Sequence, residues 1–193
     1  FFLAKSRYKT KIAYQNDRVF LLLPSKNMMC GRPYYTFNGV KYFMMDKYGG
    51  SIKTYDGSYP DARMIFDFDI RKPINLGKNI REKQLSFSYK GNDYAFPVKY
   101  NQYNIDFYDA YPHVEMKVYF DAVMSQEAKE SILKGLKPVV EGKSESDAAG
   151  ILLNFVQTAF SYKTDDEQFG REKFFFAEEL IHFPYSDCED RSV

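Results

Sequence analysis

The hydrophobic periodicity of the chain changes near Met124, and this change limits the folds open to it more than any other feature. Before that point apolar side chains alternate with polar ones, as in half-buried strands. After it they recur every three or four residues, as on one face of a helix. We therefore predict an α+β protein with an antiparallel β-rich domain at residues 1–123 and a second domain at residues 124–193.

Alternation predicts several strands in the first domain. The runs at 85–89 and 94–98 flank Lys-Gly-Asn-Asp at 90–93, and two alternating runs joined by turn residues indicate a hairpin. The runs at 64–70 and 114–120 alternate in the same way. Together they predict an antiparallel sheet or a small sandwich.

Two helices are predicted in the second domain. Ser125 can cap the first, which should end between Pro138 and Gly142. Ser144 and Asp147 have capping-box spacing at the start of the second. We interpret the apolar stripe of that second helix as core; it consists of Ile151, Leu152, Phe155, Val156, Ala159 and Phe160.

Charge and apolar content exclude several classes of function. The 27 basic and 26 acidic side chains nearly cancel, so no nucleic-acid footprint is expected. No apolar run approaches the roughly 20 residues that span a bilayer, so no transmembrane segment is predicted. Cys30 and Cys188 lie in different predicted domains and imply no disulfide framework. The start at Phe1 has neither a leader nor an initiator Met, so we expect a removed leader and an exported or periplasmic location.

The most informative motif lies at the end of the chain, where Ser186 and Arg191 bracket Asp187-Cys188-Glu189-Asp190. Before it come a helix, an aromatic-Gly segment ending at Gly170, and a Glu-Leu segment ending at Leu180. This order resembles the transglutaminase-like superfamily, and in particular the bacterial transglutaminase-like cysteine proteinases, over residues 144–193. The resemblance implies that Cys188 is a thiol nucleophile in the helical opening of a transglutaminase-like, papain-like domain. It also implies a protein or peptide substrate.

The residues around Cys188 have two opposite effects on its thiolate. Ser186 and Glu189 have capping-box spacing, so a helix beginning there would hold Cys188 in its first turn, where free N–H groups stabilise a thiolate. The carboxylates of Asp187, Glu189 and Asp190 oppose that effect unless they are engaged elsewhere. The alternative is a small buried apolar cysteine, as most free cysteines are.

A thiol nucleophile needs a histidine to move its proton and an acid or amide to orient that histidine. The resemblance implies that both lie downstream of the cysteine, so the chain is expected to be incomplete and catalytically silent. His182 and Gln168 are weaker candidates for neighbours of the site, and His113 is interpreted as structural. No cofactor is predicted, although Asp187 and Glu189 would place two carboxylates where calcium near the site is conceivable.

Three functions remain open at this stage. The first is a fragment of a cysteine peptidase or acyltransferase; the second is a β-rich module that binds a glycan or a protein, carried on a non-catalytic scaffold; the third is an interaction protein that has lost activity. Paired acids at Asp67 and Asp69 fit a solvated sheet face better than glycoside hydrolysis.

We also expect Ile151, Phe155 and Phe160 to be under-buried, with self-association as a result, unless the β region or another copy covers them.

Overall fold

The computed structural model describes residues 1–46, 50–55, 57 and 59–193. Two compact units divide the chain: Phe1–Asp69 with Pro112–Val118, and Ile70–Tyr111 with Tyr119–Val193. The predicted boundary at 123/124 therefore falls inside the second unit. Residues 80–101, predicted as part of the β-rich domain, belong with the helices.

The first unit is built on a five-stranded antiparallel sheet. Its elements are α1 (Phe2–Lys5), β1 (Lys11–Gln15), β2 (Arg18–Pro24), β3 (Tyr34–Phe37), β4 (Val40–Met44) and β5 (Lys53–Thr54). The strand order is β3-β4-β2-β1-β5, and the core of the unit is formed by Ala13, Phe20, Leu22, Tyr42 and Met44. Strands β3 and β4 are joined through Asn38 and Gly39, both at positive φ, as a tight hairpin requires.

The second unit packs helices against one long hairpin. The hairpin strands are β6 (Ile80–Tyr89) and β7 (Asn92–Asn101), and a parallel pair of two-residue strands lies near the end of the chain. The remaining elements are α2 (Gln102–Asp109), α4 (Gln126–Val140), α5 (Glu145–Thr158), β8 (Ser161–Tyr162), α6 (Asp165–Phe169), α7 (Ala177–His182), β9 (Tyr185–Ser186) and a 3-10 turn (Asp190–Ser192). The chain passes from the first unit to the second for the last time within helix α3 (Met116–Phe120), between Val118 and Tyr119.

Hairpin β6–β7 and helices α4 and α5 confirm the corresponding predictions. The Ser125 hydroxyl accepts from the Ala128 N–H at the start of α4, and the Ser144 hydroxyl accepts from the Asp147 N–H at the start of α5. The predicted stripe of α5 is core in part, since Leu152 is exposed. Ile151, Phe155 and Phe160 are 2%, 6% and 9% exposed, because a hairpin of the predicted β region covers them, which is the exception that the prediction allowed. They pack with the apolar face of the hairpin formed by Leu85, Phe87, Phe96 and Val98.

Two predicted strands are absent from the described residues. The run at 114–120 contains helix α3, because the buried Val114 and Val118 are four residues apart and fit a helical turn as well as a strand. The run at 64–70 is extended but makes only isolated bridges, at Met64 and Phe66. Helix α2 was not predicted, although the Asn101 side chain caps it by accepting from the Tyr103 N–H.

Within the described residues, every helix is too short or too polar to cross a lipid bilayer.

Candidate functional site

The two cysteines have different environments. Cys188 is exposed in the turn between β9 and the 3-10 turn. Cys30 is partly buried in the first unit, where its N–H donates to the His113 carbonyl over 2.8 Å. Burial, and then the carboxylate of Glu115, raise the pKa of the Cys30 thiol. Of the two thiols, Cys188 is therefore the accessible one.

Asp187 and Asp190 form a reciprocal cap around Cys188. The Asp190 N–H donates to Asp187 Oδ1 over 3.3 Å, and the Asp187 N–H donates to Asp190 Oδ2 over 3.2 Å. This is capping-box geometry one residue later than the predicted pair of Ser186 and Glu189. The predicted pair does not form because Ser186 belongs to β9 and its hydroxyl accepts from Arg191 Nε over 3.0 Å. Cys188 follows Asp187 but precedes the 3-10 turn, so the predicted helix with Cys188 in its first turn is not formed.

Arg191 fixes the far side of the same turn. Its guanidinium donates to the backbone carbonyls of Gln157 and Phe160, each over 2.9 Å, and to the Ser186 carbonyl over 3.3 Å. Gln157 lies in the last turn of α5, where helical carbonyls lack partners within the helix, and Phe160 lies two residues after the helix ends. Arg191 therefore ties the cysteine turn to α5 and β9 together.

The Asp190 carboxylate is buried and fixes the turn from the inside. Its Oδ1 accepts from the Phe175 N–H over 3.1 Å, and its side chain lies in a group of three carboxylates with Asp165 and Asp187. Burial, assisted by the charges of Asp187 and Asp165, raises the pKa of Asp190 to about 7. Burial also raises the pKa of Asp165, which accepts from the Lys173 N–H over 2.7 Å. The group therefore holds a proton at neutral pH more readily than an isolated acid does.

One of the two acids predicted near a calcium ion lies in this carboxylate group. The group contains Asp187 together with Asp165 and Asp190, whereas Glu189 is exposed and is not a member. Both oxygens of Asp190 and one of Asp165 accept backbone N–H groups. A calcium ion at this group stays a prediction.

A buried ion pair supports the segment that precedes the turn. Lys173 Nζ lies 2.7 Å from Glu179 Oε1, and both side chains are more than nine-tenths buried. The ammonium is 5.4–5.9 Å from the ring centres of Phe169, Phe175 and Phe183. The sequence reading missed both groups, because adjacent charged residues usually mark a solvated surface.

Glu178 is the second buried acid that sequence reasoning did not find. Its carboxylate accepts from the Ser125 N–H over 2.7 Å, from the Asn101 N–H over 3.4 Å, and from the Asn104 amide over 3.3 Å. These donors lie at the starts of α4 and α2, so Glu178 holds two helix N-termini beside α7. The only available signal was the apolar context of Glu178-Glu179-Leu180-Ile181.

The structure does not join the predicted imidazole and amide neighbours to Cys188. His182 ends α7, its ring contacts Tyr100 and Phe183, and its Nδ1 atom is buried without a partner. Burial, and then the positive charge of Lys83, lower the pKa of His182. Gln168 lies in α6, and His113 belongs to the first unit. Over the described part of the chain, no hydrogen bond connects any of the three to the thiol.

Comparison with known proteins gives no relative: no family model, no curated protein and no solved structure matches the chain.

Proposed function

We propose that the chain carries the nucleophile segment of a thiol enzyme, a cysteine peptidase or acyltransferase of the transglutaminase-like kind. The observation that carries the proposal is an exposed thiol on a turn that is pinned on both sides. Cys188 is open to solvent, while the neighbouring Ser186 and Asp190 are 2% and 1% exposed. A surface cysteine without a role needs no such support.

The pinned turn serves the chemistry that a nucleophile must perform. A thiolate attacks an amide carbonyl carbon from one face of the carbonyl plane, and holding the sulfur in position removes orientational freedom before the reaction. The cap at Asp187 and Asp190 and the guanidinium of Arg191 supply this restraint. Ser192 adds a hydrogen bond from its hydroxyl to the Cys188 carbonyl over 2.8 Å.

The proposed reaction is acyl transfer through a thioester. The Cys188 sulfur bonds to the amide carbon, a base takes the thiol proton, and the amine leaves with that proton. Water then releases the acid in a peptidase, whereas a second amine forms a new amide in an acyltransferase. Carboxylates near the turn disfavour a thiolate, so sharing a proton within the Asp165, Asp187 and Asp190 group reduces the negative charge near the sulfur.

The first test measures thiol reactivity in the folded protein. p-Nitrophenyl acetate acylates a thiolate without help from an enzymatic base, and peptide mass spectrometry locates the acetyl group. We expect Cys188 to be acetylated faster than Cys30, because Cys30 is partly buried and its pKa is raised. Preferential acetylation of Cys30 would remove the basis of the proposal.

The second test measures turnover. Peptide cleavage and amine incorporation are assayed for the chain together with any further residues that its gene encodes, beside a matched Cys188→Ala variant. Activity that disappears in Cys188→Ala supports the nucleophile assignment. Activity that survives the substitution contradicts it, and a folded but inactive protein across varied peptides favours a non-catalytic scaffold.

A further inference from the structure

The five-stranded sheet of the first unit carries a cavity that the thiol chemistry does not use. Its volume is about 590 Å³, within the range of small-molecule sites. All of the described residues that line it belong to the first unit. Its principal lining residues are Lys9, Lys11, Thr36, Phe37, Tyr42 and Tyr59.

A lysine occupies an inward position of this sheet. Lys11 pairs with Leu22, and Ala13 pairs with Phe20 two positions along, so Lys11 shares the face of the core residues. Leu22 and Ala13 are fully buried. An apolar side chain would extend this core, yet the Lys11 ammonium lies there, 4.9 Å from the centre of the Phe37 ring. The first residue of β1 therefore places a positive charge on the face of the sheet that carries the core.

Two half-buried lysines place positive charge at the cavity. Lys9 lies two positions before Lys11, and both are only partly exposed. No described carboxylate lines the cavity or lies within ion-pair distance of either ammonium. An anion in the cavity would therefore meet two ammonium groups that no described acid neutralises.

The remaining lining groups narrow the class of anion. Thr10, Thr36 and Asn38 offer hydroxyl and amide groups, which match sugar hydroxyls. The Phe37 and Tyr42 rings meet at 85°, so they form no parallel slot for a flat nucleotide base. The exposed Tyr59 ring provides a face for the C–H side of a pyranose. We propose that this cavity binds a saccharide that carries a carboxylate group.

The experiment is calorimetric titration of the 193-residue chain with digalacturonate, with lactose as the neutral control. We expect saturable binding of digalacturonate, weaker binding of lactose, and at least a fivefold rise in Kd for Lys11→Gln. Lys11→Arg should keep most of the affinity, because it keeps the charge. The matched control is Lys53→Gln, an exposed lysine of β5 outside the cavity lining, which should bind as the unaltered chain does.

Tyr59→Ala keeps the test decisive if Lys11→Gln fails to fold, because Tyr59 is 54% exposed and contributes little to the core. We expect it to weaken binding as well. The proposal is overturned if digalacturonate does not bind saturably, if lactose binds equally well, or if Lys11→Gln and Tyr59→Ala both bind normally. Binding of ATP in preference to digalacturonate would overturn it too, since it would assign the lysines to phosphate.

Discussion

Individual buried charges hold the second unit together around the cysteine turn. Lys173, Glu178 and Glu179 are 6%, 1% and 0% exposed. Lys173 and Glu179 pair with each other, whereas Glu178 finds its partners at the starts of α2 and α4. A buried charge is tolerated only when its partners are in place, so loss of one partner costs more than the pair contributes. These side chains are therefore the most sensitive single positions in the unit.

Replacing Lys173 with Met tests this sensitivity. Met fills the space beside the phenylalanine rings but leaves the Glu179 carboxylate buried and unpaired, so we expect a loss of about 3–5 kcal/mol in the free energy of unfolding. Urea denaturation measures it. The control is Lys78→Met, which breaks an exposed pair with Glu127 and should change stability little. Equal effects in the two variants would show that burial of the pair is unimportant.

The pKa of Asp190 predicts how stability varies with pH. Its folded value of about 7 lies above the ordinary value of 3.8, so the folded chain binds the proton more tightly. The contribution is favourable below about pH 4 and is lost as the pH rises to 7, with an upper bound of about 4 kcal/mol. We expect unfolding free energies at pH 5 and pH 8 to differ less in Asp190→Asn than in the unaltered chain. The exposed Asp166→Asn should leave the difference unchanged, and an unchanged difference in both variants would contradict the assignment.

Among the elements, the ones that local sequence determines were predictable. The caps at Ser125 and Ser144 lie within four residues of the groups they satisfy, and the hairpin strands alternate strictly. Helices α2, α3, α6 and α7 have eight residues or fewer, and such helices depend on packing more than on propensity. Their contacts, such as Glu178 with the starts of α2 and α4, join residues more than 50 positions apart. No local sequence pattern predicts contacts between residues so far apart in the chain.

In the candidate site, too, the features that local sequence determines were predictable and those that depend on the folded chain were not. Cys188 is predicted as the nucleophile because its motif is contiguous, and the capping pair is predicted one residue too early because Ser186 and Asp187 are both good caps in isolation. Only the pairing of Ser186 in β9 and its bond from Arg191 decide between them. The carboxylate group includes Asp165, which is more than 20 residues from Cys188, so its membership required the folded chain.

The packing of α4 and α5 on the hairpin predicts opposite results for Gly135 in α4 and Gly150 in α5. A Cβ atom at Gly135 would lie 2.1–2.5 Å from atoms of the Phe96 ring, which is buried and cannot withdraw. Gly135→Ala should therefore destabilise the chain by about 1–3 kcal/mol, despite the helical preference for Ala. At Gly150 the nearest atom is the terminal Tyr89 hydroxyl, which can move, so Gly150→Ala should be neutral or stabilising. Thermal unfolding of both variants decides, and equal destabilisation would contradict the packing.

At the scale of the whole molecule, acyl transfer needs a nucleophile and a base from different elements, and the described chain supplies only the first in position. His182 has the lowered pKa of a base that is neutral at pH 7, but its ring lies against Tyr100 and Phe183 at the end of α7. His113 belongs to the other unit. Within the second unit, no hydrogen bond of the described chain joins the His182 ring to the thiol.

We therefore expect the 193-residue chain to be catalytically silent, and His182→Gln to leave the alkylation of Cys188 unchanged. The measurement is the iodoacetamide rate at Cys188 from pH 6 to pH 9, read by mass spectrometry, for the unaltered chain and His182→Gln. A paired base would make the rate depend on a histidine titration, and that dependence would vanish in the variant. Matching profiles support a thiol without an imidazole partner in this chain. Peptide turnover that requires both Cys188 and His182 would instead make His182 the base and would contradict this prediction.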